Sequence, residues 1–327
     1  MQASDLAAFT PETQAAVQAA YALDPEIRLL SDWHAFTFAV ARQGQPYILR
    51  VTPASHQPTA AILAELEWQH FVIDRGKIDA PRALPSRQGN LAEAFEAKPT
   101  SFTAVLFEKL SGRPVGAGDW NPVLFKEWGR LVGSLHALSQ DFTPNRRRLL
   151  WNASDFLDAQ TYIPDSEPQI RREAAKVVAT VAKLPESNAS FGMIHGDVYQ
   201  DNFLIGRTGL QLFDFDNCEY GHYVSDIAVA LYAAVWRHDD PADREGFARH
   251  FLGAFLTGYS GQYSLAVDEL RRLPLFLRLR EVLIYTVARK KRSLSLMSPK
   301  ARQLLDERGA RIAGQEPIVS LAWLGAG

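Results

Sequence analysis

The chain is 327 residues long and 47% apolar, and its 35 Lys and Arg nearly balance 37 Asp and Glu, for a formal net charge of −2. That length is enough for two lobes with sizeable cores, and the near-neutral balance excludes a sequence-independent nucleic-acid binder, which would carry a basic excess. A lone cysteine, Cys218, excludes an intrachain disulfide and fits a reducing compartment.

The first five residues lack the basic start and apolar run of a signal peptide. The most apolar stretches, 227–236 and 273–287, are too short or too interrupted by Arg and Glu to span a bilayer. The expectation is a cytoplasmic protein with no membrane partner.

In chain order, Thr10, Pro11 and Glu12 open a helix, with a hydroxyl at the N-cap and proline in the first turn, and Ala-rich sequence carries it to residue 23. Residues 27–40 read as two strands around a turn at 31–35, and no glycine lies between Ser31 and Ala41. Gly44 and Gln45 turn the chain into a strand at 46–51 that carries a cation, Arg50, near its end. Residues 59–73 place Ile62, Leu63, Leu66, Phe71 and Val72 at helical spacing, with Glu65 and Glu67 on the same helix. Strands come next at 91–95 and 103–110, the second ending in Phe107, Glu108, Lys109 and Leu110 before Ser111 and Gly112.

After Gly112 the texture changes to long helical patterns, so the lobe boundary is placed between residues 111 and 112. Residues 125–138 form a helix containing His136, which reads as a core histidine making one hydrogen bond. Arg146, Arg147 and Arg148 read as a solvated basic run, Trp151 as an anchor for the adjoining segment, and 170–184 as an amphipathic helix. Beyond residue 226 come a buried helix at 227–236 and further helices at 246–258, 267–289 and 299–311.

Between these helices lies the stretch that carries chemistry. It contains His195, Gly196 and Asp197, then Asn202 five residues after the aspartate, then Asp214 and Asp216. Residues 203–205 and 210–213 are β-prone and 206–209 supply turn residues, which together read as a hairpin. A hairpin returns to its starting end, so Asn202 and Asp214 are expected side by side. An amide oxygen beside a carboxylate suits Mg²⁺, a hard cation usually shared between one or two carboxylates and substrate phosphates. Asp197, on the preceding loop, then reaches an acceptor hydroxyl. His195 reads as a hydrogen-bonder that orients the loop. Ser225 and Asp226 read either as the N-cap of a helix starting near Ile227 or as a brace for the loop.

His195-Gly196-Asp197 with Asn202, followed by an apolar strand and Asp214-x-Asp216, resembles the phosphotransferase family of aminoglycoside kinases, choline kinase, type II homoserine kinase and a related bacterial stress-response kinase. These are similar in fold to protein kinases. The resemblance implies an α+β, bilobal protein-kinase-like fold, with a small N-terminal β-rich lobe over residues 1–111 that covers the nucleotide. A larger, mainly helical C-terminal lobe over 112–327 would hold the catalytic loop, metal site and acceptor pocket.

By the same resemblance Asp197 is the catalytic base, Asn202 and Asp214 are the Mg²⁺ ligands, Asp226 is a buried brace and Asp216 is the family's second acid. Arg50 stands where a Lys usually holds the α and β phosphates, with Glu65 as its helical partner and Glu67 in reserve. A plain surface Arg and a solvated Glu are the competing readings. The main chain of Phe107, Glu108, Lys109 and Leu110 corresponds to the hinge that meets adenine. Tyr220, His222, Tyr223, Trp236, Asp239 and Asp240 are candidates to line the acceptor pocket.

The implied activity is ATP- and Mg²⁺-dependent transfer of the γ-phosphoryl group to a hydroxyl of a small molecule. Two alternatives stay open. One is a protein Ser/Thr kinase of the stress-response type. The other is a catalytically weak nucleotide-binding module, motivated by the glycine-free phosphate hairpin and by Arg50 in place of Lys, a substitution that is not neutral. A metal hydrolase on His195, Asp197 and His222 lacks the ligand spacing of zinc sites. The acceptor, the choice between ATP and GTP, and the oligomeric state are not written in the sequence.

Overall fold

The computed structural model describes residues 3–98, 100–238, 240–291 and 297–325. The chain opens with helices α1 (Ala3–Ala8) and α2 (Pro11–Tyr21), strands β1 (Ile27–Ser31), β2 (Phe36–Arg42) and β3 (Gln45–Pro53), helix α3 (Thr59–Gly76), and strands β4 (Ala83–Leu84), β5 (Glu93–Ala97) and β6 (Thr100–Glu108). Helices α4 (Pro122–Asp141), α5 (Ala159–Tyr162) and α6 (Pro168–Val181) lead to four short strands, β7 (Phe191–Ile194), β8 (Phe203–Ile205), β9 (Leu210–Leu212) and β10 (Glu219–His222). The chain continues through α7 (Tyr223–Arg237), α8 (Arg244–Ser260), α9 (Val267–Leu270), α10 (Leu273–Lys291) and α11 (Pro299–Gly314).

Packing divides the chain into two compact units. A sheet unit comprises the described residues of 1–113, 142–148 and 204–216, and a helical unit those of 114–141, 149–203 and 217–327.

In the sheet unit, the antiparallel order is β1-β2-β3-β6-β4, with β5 also paired to β6. Side chains alternate across the pleat, so each face of the central strands finds its own cover. Leu49, Val51, Phe102, Ala104 and Leu106 pack with Phe36, Phe38 and Val40, and with Val17 and Tyr21 of α2. The opposite face sends Val105 and Phe107 against Ile62 and Leu66 of α3. Helix α2 starts as its sequence predicts, the Thr10 hydroxyl accepting from the Thr13 N–H at 3.3 Å. At its other end the Tyr21 hydroxyl donates to the buried Ala104 carbonyl, 2.7 Å away.

Two later segments join this unit, which a single cut at 111/112 assigns to the other lobe. Residues 204–216 are held by main-chain and side-chain bonds: the Leu212 N–H donates to the Asp79 carbonyl at 2.8 Å, and Ile205 exchanges bonds with Arg113. Gln211 donates to the Asp79 carboxylate at 2.8 Å and accepts from the Gly112 N–H at 2.6 Å. Residues 142–148 are held by Phe142, whose ring lies 4.9 Å from Trp68 and 5.0 Å from Phe71.

In the helical unit, α4 and α8 approach until their backbones touch. A Cβ on Gly129 would lie 1.9 Å from the Phe255 carbonyl oxygen, and one on Gly258 would lie 1.8 Å from that of Lys126. Around this contact sits an aromatic core of Phe125, Trp128, Phe203, Phe251 and Phe255. Strands β7 and β10 pair antiparallel, Ile194 opposite Glu219 and Phe191 opposite His222. Helix α7 is buried along most of its length and begins at Tyr223, four residues before the start expected near Ile227. Among the described residues no helix is long and apolar enough to cross a membrane.

Candidate active site

In the sheet unit, Arg50 on β3 meets Glu65 on α3, its terminal nitrogen 2.8 Å from Glu65 Oε1. Glu65 is 1% exposed. Burial pushes the Glu65 carboxyl above the usual range, against the opposing pull of Arg50 and Arg148. Desolvation opposes the charge on Arg50, but Glu65, Asp216 and Asp214 outweigh it and raise its pKa. The guanidinium lies 5.2 Å from the centre of the Phe107 ring, a cation–π contact. Glu67 has other work: its carboxylate accepts from the Asn145 N–H at 2.5 Å and from the Arg146 N–H at 3.0 Å.

Asp214 comes after β9 with φ 66°, left-handed backbone that Asp and Asn tolerate better than most residues, and it is exposed. The Asp216 carbonyl accepts from Gln57 Nε2 at 3.0 Å and from the Arg148 guanidinium. Arg148 also donates to the Ala61 carbonyl at 2.9 Å, so the solvated basic run expected at 146–148 is corrected at this residue. A guanidinium fork spans two main-chain oxygens that no pattern of neighbouring charges foretells. Burial alone would raise Asp216, but the bond from His56 and the fields of Arg50, His34 and His56 leave its pKa at about 2. Along the hinge-like segment Phe107 is buried, Glu108 and Lys109 are exposed and Leu110 is half-buried. The Glu108 N–H donates to the Arg82 carbonyl at 3.0 Å.

In the helical unit, β7 delivers the chain to His195, Gly196 and Asp197. Gly196 has φ +78°, and a Cβ there would sit 2.5 Å from the Asn217 carbonyl oxygen, so glycine alone fits this turn. Asp226, in the first turn of α7, is fully buried. Its two oxygens accept from the N–H groups of His195, at 3.0 Å, and Gly196, at 2.8 Å. The carboxylate is spent on the loop rather than on capping α7.

His136 Nε2 stands 3.3 Å from the same carboxylate. Because an ionised carboxylate only accepts, Nε2 is the donor and Nδ1 accepts from the Tyr259 hydroxyl at 2.8 Å. His136 therefore makes two bonds where one was expected. Burial would lift the Asp226 pKa, yet the His136 bond and the fields of His136 and His195 outweigh it and hold it below the ordinary value.

The Asp197 N–H donates to His195 Nδ1 at 3.3 Å. Asn202 Nδ2 donates both to the Asp197 carbonyl, at 2.8 Å, and to its Oδ2, at 3.2 Å. That orientation commits the amide nitrogen inward and leaves the amide oxygen as the end available to a hard cation. The other carboxylate oxygen of Asp197, Oδ1, is ion-paired with Arg280 of α10. Arg280 is a residue that sequence reasoning missed, since it stands in an apolar helix with no motif around it.

Of the pocket candidates, His222 and Tyr223 are buried in the core, His222 between the rings of Phe191 and Phe276. Tyr220 pairs with Met193 across the β7–β10 ladder. Trp236 carries the Arg308 guanidinium on its face at 4.1 Å. The Asp240 carboxylate caps a short turn by accepting from the Ala242 N–H at 2.9 Å. Asp239 lies outside the described residues.

Residues 26–270 match the model of the phosphotransferase enzyme family. The chain is 30% identical to an amicoumacin kinase of Bacillus subtilis (strain 168) over 286 residues, 86% of this chain and 84% of that protein. A homoserine kinase of Parvibaculum lavamentivorans is 26% identical over 65% of this chain and 64% of its own length. Among solved structures, an amicoumacin kinase in complex with AMP-PNP, Ca²⁺ and Ami superposes with TM-score 0.91 at 25% identity, covering 97% of this chain and 98% of that one. A microcompartment-associated aminopropanol kinase gives 0.74 at 21% identity, covering 92% and 95%, a likeness of fold. The chain belongs to the phosphotransferase enzyme family: it has the α+β, protein-kinase-like fold and is an ATP-dependent phosphotransferase that uses a divalent cation and acts on a hydroxyl of a small molecule.

Proposed function

We propose that the acceptor is an amicoumacin-type molecule and that Asp197 is the base that takes the proton from its hydroxyl. The observation that carries the acceptor is the near-complete match to an amicoumacin kinase structure, 97% of the chain at TM-score 0.91. As the acceptor oxygen bonds to the γ-phosphorus, the bond from that phosphorus to the β–γ bridging oxygen breaks and ADP leaves with the electron pair. Asp197 holds the released proton.

The oxygen donors of Asn202 and Asp214 fit Mg²⁺, which when bound neutralises charge on the phosphate oxygens. Arg50, held by Glu65, takes the α and β phosphates, a role supported by its permanent charge and its ion pair with Glu65. The main chain of Phe107, Glu108, Lys109 and Leu110 takes the adenine. On this reading residues 1–111 hold the nucleotide and 112–327 carry the catalytic loop and the acceptor pocket. His195 and Asp226 support the loop, and the buried, unbridged Cys218 fits a cytoplasmic location.

The test is ADP release by the purified protein with MgATP and a panel of amicoumacin, homoserine, an aminopropanol and an aminoglycoside. Turnover with amicoumacin is expected; turnover confined to another member moves the acceptor to that class. Asp197→Asn should cut turnover by about 10²–10⁴-fold while nucleotide still binds, whereas Asp214→Asn should weaken binding of MgATP itself. Wild-type turnover in both variants overturns the assignment.

A further inference from the structure

Two histidines of the sheet unit, His34 and His56, are given no role in the proposed phosphoryl transfer, and they cluster with an aspartate. His34 lies in the turn between β1 and β2, His56 in the turn between β3 and α3, and Asp216 just after β9. His34 Nδ1 stands 3.3 Å from His56 Nε2, and His56 Nε2 stands 3.9 Å from Asp216 Oδ2. One ligand atom from each of the three falls within 4.8 Å of the others. We propose that His34, His56 and Asp216 form a three-ligand site for a borderline transition cation of the Zn²⁺ type.

The geometry suits such an ion. Two imidazole nitrogens on one tetrahedral Zn²⁺, each at about 2.0–2.1 Å, lie about 3.3–3.4 Å apart. The two histidines already have that separation. The Asp216 oxygen stands 3.9 Å from His56 Nε2, about half an ångström more than a shared tetrahedral ion requires of that pair, and within 4.8 Å of the His34 ligand atom. Two of the three ligands also come on a supported main chain. The Asp216 carbonyl is held by Gln57, the residue next to His56, and by Arg148. The His56 turn is closed by its own N–H to the Pro53 carbonyl at 2.9 Å, and the rings of His34 and His56 meet edge to face with centroids 4.7 Å apart.

The donor set separates this site from the one that serves catalysis. Two imidazoles and a carboxylate favour Zn²⁺, Co²⁺ or Ni²⁺ over Mg²⁺, which prefers an all-oxygen shell. Three protein ligands leave a fourth position for water or another oxygen donor. Because the ligands come from three separate segments, an ion held here joins the β1–β2 turn to the chain that comes after Asp214. The site does not depend on the phosphotransferase assignment or on which molecule accepts the phosphoryl group.

The test uses untagged, chelator-treated full-length protein titrated calorimetrically with ZnCl₂ and, in parallel, with CoCl₂ while its visible absorption is recorded. Zn²⁺ should bind at one equivalent, persist in millimolar Mg²⁺, and survive Asp214→Asn. It should weaken by at least about 100-fold in His34→Ala and in His56→Ala. Both histidines are at least partly exposed, so these variants should fold, and unchanged thermal unfolding without metal verifies it. The proposal is overturned if Zn²⁺ does not bind, if Mg²⁺ displaces it, if both histidine variants bind as the wild type does, or if binding is lost in Asp214→Asn.

Discussion

Asp197 is held from two sides, with Arg280 on Oδ1 and the Asn202 amide on Oδ2. A carboxylate pinned in this way keeps one rotamer, and for the proposed base, acting by placement, the loss of a pin costs turnover before it costs stability. Arg280→Ala is expected to lower kcat by about 10–100-fold with nucleotide affinity unchanged, and Arg280→Lys to restore part of it. Steady-state kinetics with acceptor and ATP varied separately check this: equal losses in nucleotide binding and kcat would point instead to general disruption. His222 makes a different prediction. Burial, helped by Arg272, pushes its pKa down from 6.5 to about 4. The unfolded chain takes up its proton at higher pH than the native one, so this contribution to stability is complete above pH 6.5. It is lost progressively as pH falls towards 4, amounting to at most about 3 kcal/mol. Urea midpoints at pH 7 and pH 4.5 should differ less for His222→Gln than for the wild type.

At the scale of elements, the contact between α4 and α8 depends on what is missing from Gly129 and Gly258. Adding a methyl at Gly258 meets a backbone oxygen at 1.8 Å, an atom that cannot rotate away as a side chain would. The helices must separate and the aromatic layer of Trp128, Phe251 and Phe255 must loosen. Gly258→Ala should therefore cost about 2 kcal/mol or more, read as a fall in Tm of roughly 4–8 °C at about 2–4 °C per kcal/mol. Gly253→Ala in the same helix, whose Cβ would meet nothing within 4 Å, should leave Tm unchanged or slightly raised. Periodicity located α3 and α4, because a helix with one buried face writes a 3.6-residue repeat into its sequence, and a nearly unbroken apolar run located the buried α7. It did not reveal the β7–β10 ladder. Those strands are four residues long, and Gly192 lies opposite Gly221, so the residues that would mark a turn are here paired across a sheet.

For the molecule as a whole, ligand binding and stability are linked. One buried thiol and no disulfide leave noncovalent packing to hold the native state. A nucleotide that binds only the folded chain should add about 2.7 kcal/mol at one hundred times its Kd. Thermal unfolding with AMP-PNP and Mg²⁺ is expected to show this as a rise in Tm in the wild type and in Asp197→Asn. In Asp214→Asn the rise should shrink towards zero. A full rise in Asp214→Asn would remove that residue from the proposed cation site.

The run from His195 to Asp226, with Arg50 upstream, was legible as a phosphotransferase through its resemblance to that family in the order and spacing of its residues. The proposed base and cation-binding oxygens come from one loop and one hairpin, so the chemistry is compressed into a short length of chain. Folding decided the rest. Arg280 reaches Asp197 across 83 residues of sequence, His136 reaches Asp226 across 90, and Arg148 reaches Asp216 across 68. His34 and His56 meet near Asp216 by the same means. A side chain looks the same in its local pattern whether it ends in water or on a distant partner, because hydrophobic period and turn chemistry record burial and backbone shape, and only the packed chain determines which polar groups meet.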